Sequence, residues 1–153
     1  MNAEFPVDMS DTTSQQLVVF SLGSEEYALP IGAVHEIIRF SEPRSVASEV
    51  PWIRGVIGLR GKIIPIFDLA ARMGLEPSEP GKIVIVSSGA GQVGVMVDEV
   101  EEVLTVTSDQ LEDVPTANSD SIEAIAKIED RLVVLLNTSG LFAREVEELA
   151  AAA

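Results

Sequence analysis

The sequence predicts an all-β chain built from two copies of one small β-module. Three observations lead there. Short β-branched runs bounded by Gly, Pro and Ser recur from Leu17–Leu22 through Lys62–Phe67 to the stretch DRLVVLLN at 130–137. LVVFSLGSEEYALPIGAVHEII (17–38) lies without gaps over IVIVSSGAGQVGVMVDEVEEVL (83–104) at an offset of 66, which sets Val18 on Val84, Ser21 on Ser87, Gly23 on Gly89, Val34 on Val100 and Glu36 on Glu102. GKIIPIFD (61–68) lies over that same DRLVVLLN stretch at an offset of 69, so turn, strand and order agree in both halves. Closing each module into a barrel would remove most of its sheet edges.

Taken in order, residues 1–16 read as a disordered leader. Leu17–Leu22 and Glu26–Pro30 flank a Gly23-Ser24-Glu25 turn and form a hairpin. Val34–Phe40 is a third strand, in which Glu36 breaks the apolar pattern, and Ser41–Val50 is a polar loop closing at Pro51. The stretch VPWIRGVIGLRGKIIPIFDL (50–69) is the one the rest is arranged to present. It holds Gly55, Gly58 and Gly61, the only Trp, and the strand Lys62–Phe67. Pro65 has no N–H for a ladder, so this strand is expected at a sheet edge or end. An apolar edge strand is either hidden or used for docking. Leu69–Gly74 makes a short helix followed by Pro77 and Pro80. The modules span about 17–80 and 81–138. Leu141, Phe142, Val146 and Leu149 then recur at helical spacing, which predicts a terminal helix over about 139–150 packed on the barrels.

Composition narrows the function. A chain of 153 residues has room for one ordinary domain or two very small ones. Cysteine is absent, which excludes disulfides and thiol chemistry, and the single His35 cannot build an imidazole metal site. Residues 1–16 do not resemble a signal peptide, and no apolar run approaches the roughly 20 residues of a membrane span. A cytoplasmic protein without membrane insertion is expected. The net charge of −15 argues against nucleic acid or an anionic membrane as ligand. Its distribution is uneven: residues 39–82 carry seven basic and five acidic side chains, the remainder three and twenty. That pattern fits a cationic docking face on an acidic body, with clustering by chance as the plain alternative.

Motifs for catalysis are few. Gly89-Ala90-Gly91-Gln92-Val93-Gly94 is a formal G-x-G-x-x-G with Asp109 or Glu112 near the ribose-binding distance. A nucleotide site needs the third glycine to open a helix, yet alternating, β-branched Val93–Val97 follows, so a hairpin is the expected structure and no cofactor. Asp98-Glu99 and Glu101-Glu102 read as a solvated face rather than a calcium loop. His35 is an ordinary strand residue, and Trp52 belongs to core or rim. Glu36 interrupts an apolar strand and Arg60 ends the adjacent turn, so the two are expected to orient each other. No nucleophile elbow, Walker motif or zinc-peptidase motif is present, and no enzyme is expected.

VPWIRGVIGLRGKIIPIFDLAARMGL (50–75) resembles the signature of the CheW-like family, the bacterial chemotaxis coupling proteins and the matching regulatory domain of the chemotaxis histidine kinase. FSLGSEEYALPIGAVHEII, VGVMVDEVEEVL and IAKIEDRLVVLLN fit that family's order and spacing, and the likeness runs from about Gln16 to Phe142. The resemblance implies two SH3-like five-stranded barrels with a hydrophobic groove between them. It implies a non-catalytic adaptor that couples the cytoplasmic tips of chemoreceptors to the CheW-like domain of the kinase. Such a protein would be a monomer in isolation, held at the inner face of the membrane through receptor arrays. A related non-flagellar chemosensory pathway is the alternative setting. By the same resemblance Glu36 and Arg60 are kinase-binding, while Gly55, Gly94, Val100 and Val103 lie at or near the receptor groove; Val34 is a further candidate for the kinase-binding set and Val56 for the receptor-binding set. Gly58 departs from the pattern where an Asn is common, and Asn137-Thr138-Ser139-Gly140 replaces the usual Asp-Leu pair before the last helix.

Overall fold

Which face each side chain takes decides this architecture. The computed structural model describes residues 14–48, 50–76, 79–88, 91–113 and 122–138. The strands are β1 (Ser14–Leu22), β2 (Glu25–Pro30), β3 (Val34–Arg39), β4 (Ile53–Leu59), β5 (Lys62–Asp68), β6 (Lys82–Ser88), β7 (Gly91–Val97), β8 (Glu99–Thr107), β9 (Leu111–Asp113), β10 (Ile122–Ile128) and β11 (Arg131–Leu136). Helix α1 (Leu69–Arg72) is one turn long, and the Asp68 carboxylate caps it by accepting from the Ala71 N–H at 3.1 Å. The predicted terminal helix and the leader before Ser14 lie outside the described residues.

The strands form a six-stranded sheet in the order β8-β1-β2-β11-β10-β9 and a five-stranded sheet in the order β3-β6-β7-β5-β4. Each sheet therefore takes a hairpin from the opposite half of the chain, and both sheets cut across the division expected near residue 80. The two exchanges match in register. Ile66 of β5 pairs in parallel with Gly94 of β7, and Leu135 of β11 pairs in parallel with Ala28 of β2. These are the same positions under the offsets of 69 and 66.

Three cores follow from side-chain alternation. On β1, Leu17 and Val19 enter a core inside the six-stranded sheet, while Phe20 and Leu22 enter a core between the sheets. On β6, Ile83 and Ile85 lie inside the five-stranded sheet, while Val84 and Val86 face the same shared core. Both faces of these strands are covered, which is why they read as unbroken apolar runs. Ile38 of β3 and Ile57 and Leu59 of β4 pack against one cluster, so the five-stranded sheet curls round it. Its edges share a core, but among the described residues no ladder joins β3 to β4. Among the described residues the architecture is two curled sheets, of six and five strands.

The placement of Pro65 corrects the expectation of an edge strand. β5 lies between β7 and β4. It tolerates proline because its ladder with β7 begins one residue later, at Ile66. The true edge is β4. Its strand pattern was masked in the sequence by Gly55 and Gly58.

Candidate partner-docking site

The hairpin β4–β5 turns through Arg60 and Gly61, whose φ angles of 52° and 81° are both positive, as a tight two-residue hairpin loop requires. That turn aims the Arg60 guanidinium at β3. Arg60 Nε donates to Glu36 Oε1 at 3.1 Å and Nη2 donates to Oε2 at 2.5 Å, a bidentate pair linking the hairpin to the far edge of the same sheet. The Arg60 side chain is 71% exposed, the Glu36 side chain only 20%. The hydrogen bonds from Arg60 hold the Glu36 carboxyl below the usual glutamate range. Ile37, next to Glu36 on β3, and Ile63, on β5 just past the turn that carries Arg60, are exposed. Val34, at the start of β3, packs against the core between the sheets. The kinase set expected from the sequence is thus one charged pair on an exposed corner, with Val34 anchored behind it.

The receptor set does not come together in the same way. Gly55 is buried at a bulge in β4 with φ +146°, and a Cβ there would overlap the carbonyl of Arg44. That segment crosses β4 through two hydrogen bonds, Arg44 N–H to Val56 O at 2.8 Å and Val56 N–H to Arg44 O at 2.9 Å. Gly94 is also buried. A Cβ on it would run into Ile66, Ile83 and Ile85, so packing inside the five-stranded sheet requires the glycine. Val56 is half-buried on the edge strand β4. Val100 and Val103 lie on β8, the edge of the other sheet, with Val100 packed on the shared core and Val103 51% exposed.

The acidic run is largely exposed, and three of its four carboxylates also find partners. Asp98 accepts from the Gly23 N–H at 2.7 Å, Glu99 pairs with Lys82 at 3.3 Å, and Glu102 pairs with Arg131 at 2.7 Å. Arg131 also grips Glu26 through two bonds of 3.1 Å. Sequence reading missed this cluster. Its one signal was the match of Glu102 to Glu36, since each carboxylate takes an arginine from or beside the hairpin turn of its half. Trp52 proves to be a rim residue, half-buried against the shared core with the Arg72 guanidinium 5.3 Å from its ring centroid. Gly94 stands in the middle of β7, so no helix opens there and the nucleotide reading of Gly89–Gly94 fails.

A family profile described as the CheW-like domain matches residues 16–146. The chain belongs to the CheW-like family. Among its relatives in that family, a probable chemotaxis protein CheW of Rhizobium etli is 32% identical over 143 residues, covering 89% of this chain and 92% of the relative. Protein PilI of Pseudomonas aeruginosa is 27% identical over 101 residues, covering 64% of this chain and 57% of that one. The crystal structure of the scaffolding protein TtCheW from Thermoanaerobacter tengcongensis superimposes with a TM-score of 0.79 at 33% identity, covering 86% of this chain and 94% of that one. A CheW-like fold accounts for the two sheets and their shared core. No described helix is long and apolar enough to cross a membrane.

Proposed function

We propose that the chain is a non-catalytic chemotaxis scaffold that couples the cytoplasmic tips of chemoreceptors to the CheW-like domain of a histidine kinase. The two curled sheets are then two SH3-like barrels descended by duplication, and the protein works at the inner face of the membrane within receptor arrays. The observation that carries this reading is the bidentate Arg60–Glu36 pair on an exposed corner with bare Ile37 and Ile63. A charge-assisted pair of this kind fixes orientation, and flanking aliphatic side chains supply buried area when a partner arrives. The receptor helix is taken by the rim of the shared core, where Val100 and Val103 of β8 offer an apolar strip, and Val56 of β4 is assigned to the same docking surface from the other sheet. Gly55 and Gly94 act through the backbone and packing that shape that rim.

Arg60→Glu tests the kinase half. Reversing the charge leaves Glu36 facing a second carboxylate, so affinity for the CheW-like domain of the cognate kinase falls at least tenfold by calorimetry. The melting temperature stays nearly unchanged, because exposed ion pairs contribute little to folding. Equal binding by wild type and Arg60→Glu would sink the assignment. The similarity to Protein PilI favours, as a second reading, the same role in a related chemosensory pathway. Affinity capture from cell extract, asking which receptor and which kinase arrive together, distinguishes the two.

A further inference from the structure

Gly58 occupies the interior of β4, and nothing among the described residues asks for a glycine there. Its backbone lies outside the left-handed region, and a Cβ added to it would meet no atom within 4 Å. Gly55, three residues earlier, shows the opposite case, since its glycine is forced by the Arg44 carbonyl. A glycine within a strand weakens it and often marks the place where another backbone or a ligand comes close. The reason for Gly58 therefore lies outside the described residues.

The geometry of β4 says what could approach. β4 is the edge of its sheet, and backbone groups on an antiparallel strand point alternately toward and away from the neighbour. The Val56 N–H and C=O point away from β5, for both bond Arg44. Gly58, two residues on, points the same way, and no described residue takes its N–H or C=O. Its cross-strand neighbour Ile63 is 72% exposed. In the second half the equivalent strand β10 carries the short strand β9 on its edge, antiparallel, over Ala124–Ala126. The fold thus accepts an extended segment along this kind of edge, and in both halves that covering stops short of the position of Gly58, whose equivalent is Lys127.

We propose that Gly58 is a docking point where an extended segment of the kinase's CheW-like domain adds antiparallel to β4. Its main chain exchanges hydrogen bonds with the Gly58 N–H and C=O, and a bulky apolar side chain lies over the bare α-carbon against Ile63. Arg60 and Lys62 are exposed in the same hairpin, so acidic side chains flank that segment. This deepens the kinase reading of Arg60–Glu36 and rests on it.

The test is amide hydrogen exchange on the full chain, free and with the kinase's CheW-like domain, together with the variant Gly58→Val. In the free chain the Gly58 amide exchanges fast, and the added domain slows it at least tenfold. Gly58→Val folds with an unchanged or higher melting temperature, because the space is open and valine suits a strand, yet binds the domain at least tenfold more weakly. Suppose the domain binds and Arg60→Glu abolishes binding, but the Gly58 amide stays fast or Gly58→Val binds as wild type. Docking at Gly58 is then overturned while the scaffold function stands. A slow Gly58 amide in the free chain overturns it as well, since the edge would be covered from within. Misfolding of Gly58→Val also overturns it, by giving the glycine an internal role. If the wild-type chain does not bind the domain, both readings fall.

Discussion

Gly55 and Gly94 look alike in sequence, small residues in apolar stretches, yet each is held by a different constraint. Gly55 needs both its positive φ and its missing Cβ to pass the Arg44 carbonyl, and the Val56 hydrogen bonds keep that crossing in place. Gly55→Asp is therefore a folding lesion rather than a selective block of receptor binding. Backbone strain alone costs about 1–3 kcal/mol, and the overlap adds to it. We expect the variant to melt at least several degrees lower in circular dichroism, with kinase and receptor binding reduced together in proportion to the unfolded fraction. Normal melting with selective loss of receptor binding would show that the groove wall does include Gly55. The sequence revealed that these glycines matter. It did not reveal how, because a glycine carries no side chain whose character tells inside from outside.

At the scale of elements, the ion pair between β3 and the β4–β5 turn was legible, and for a physical reason. A carboxylate interrupting an apolar strand needs a partner, and an arginine at a tight turn is free to reach one. The titration of Glu36 checks the pairing directly. Its carboxyl is held low by Arg60, first through hydrogen bonding and then through charge. A lowered folded-state value means the pair's support is complete above the ordinary glutamate range and fades as pH falls through the lowered midpoint. Carboxyl NMR should place the Glu36 midpoint below that of an unpaired glutamate, and Arg60→Ala should raise it. An unmoved midpoint in Arg60→Ala would mean the pair does not persist in solution. What escaped sequence reading at this scale was β4, whose glycines break the strand pattern, and the interior position of β5, since proline forbids a ladder bond but not a place between strands.

For the whole molecule, the repeat was visible in the sequence while the exchange of hairpins was not. Offsets of 66 and 69 show that two stretches are alike; they are blind to which copy pairs with which. In the folded chain β6 and β7 stand between β3 and β5, and β1 and β2 stand between β8 and β11. Residues 1–80 alone would lack the middle of one sheet, and residues 81–153 the middle of the other. Each fragment should be unfolded by circular dichroism when purified separately. Mixed at equal concentration, the two should regain strand signal and a cooperative melt. Independent folding of either fragment would contradict the interlocked arrangement. At the centre, Phe67 joins the shared core fully buried, so Phe67→Ala, which costs about 3–5 kcal/mol, should unfold both sheets in one transition.

The crossed hairpins also bear on load. On the proposed function, partners tugging on the hairpin β4–β5 and on the strip of β8 would pull on opposite sheets. Neither sheet can peel without unthreading a hairpin that belongs to the other, and the Gly23–Asp98 bond ties the first turn to the start of β8. Tension applied at one end is thus shared by the whole body instead of opening a seam. On the proposed scaffold role the chain is expected to act as a stiff link of fixed length, so that a small displacement at one partner arrives at the other without being absorbed on the way.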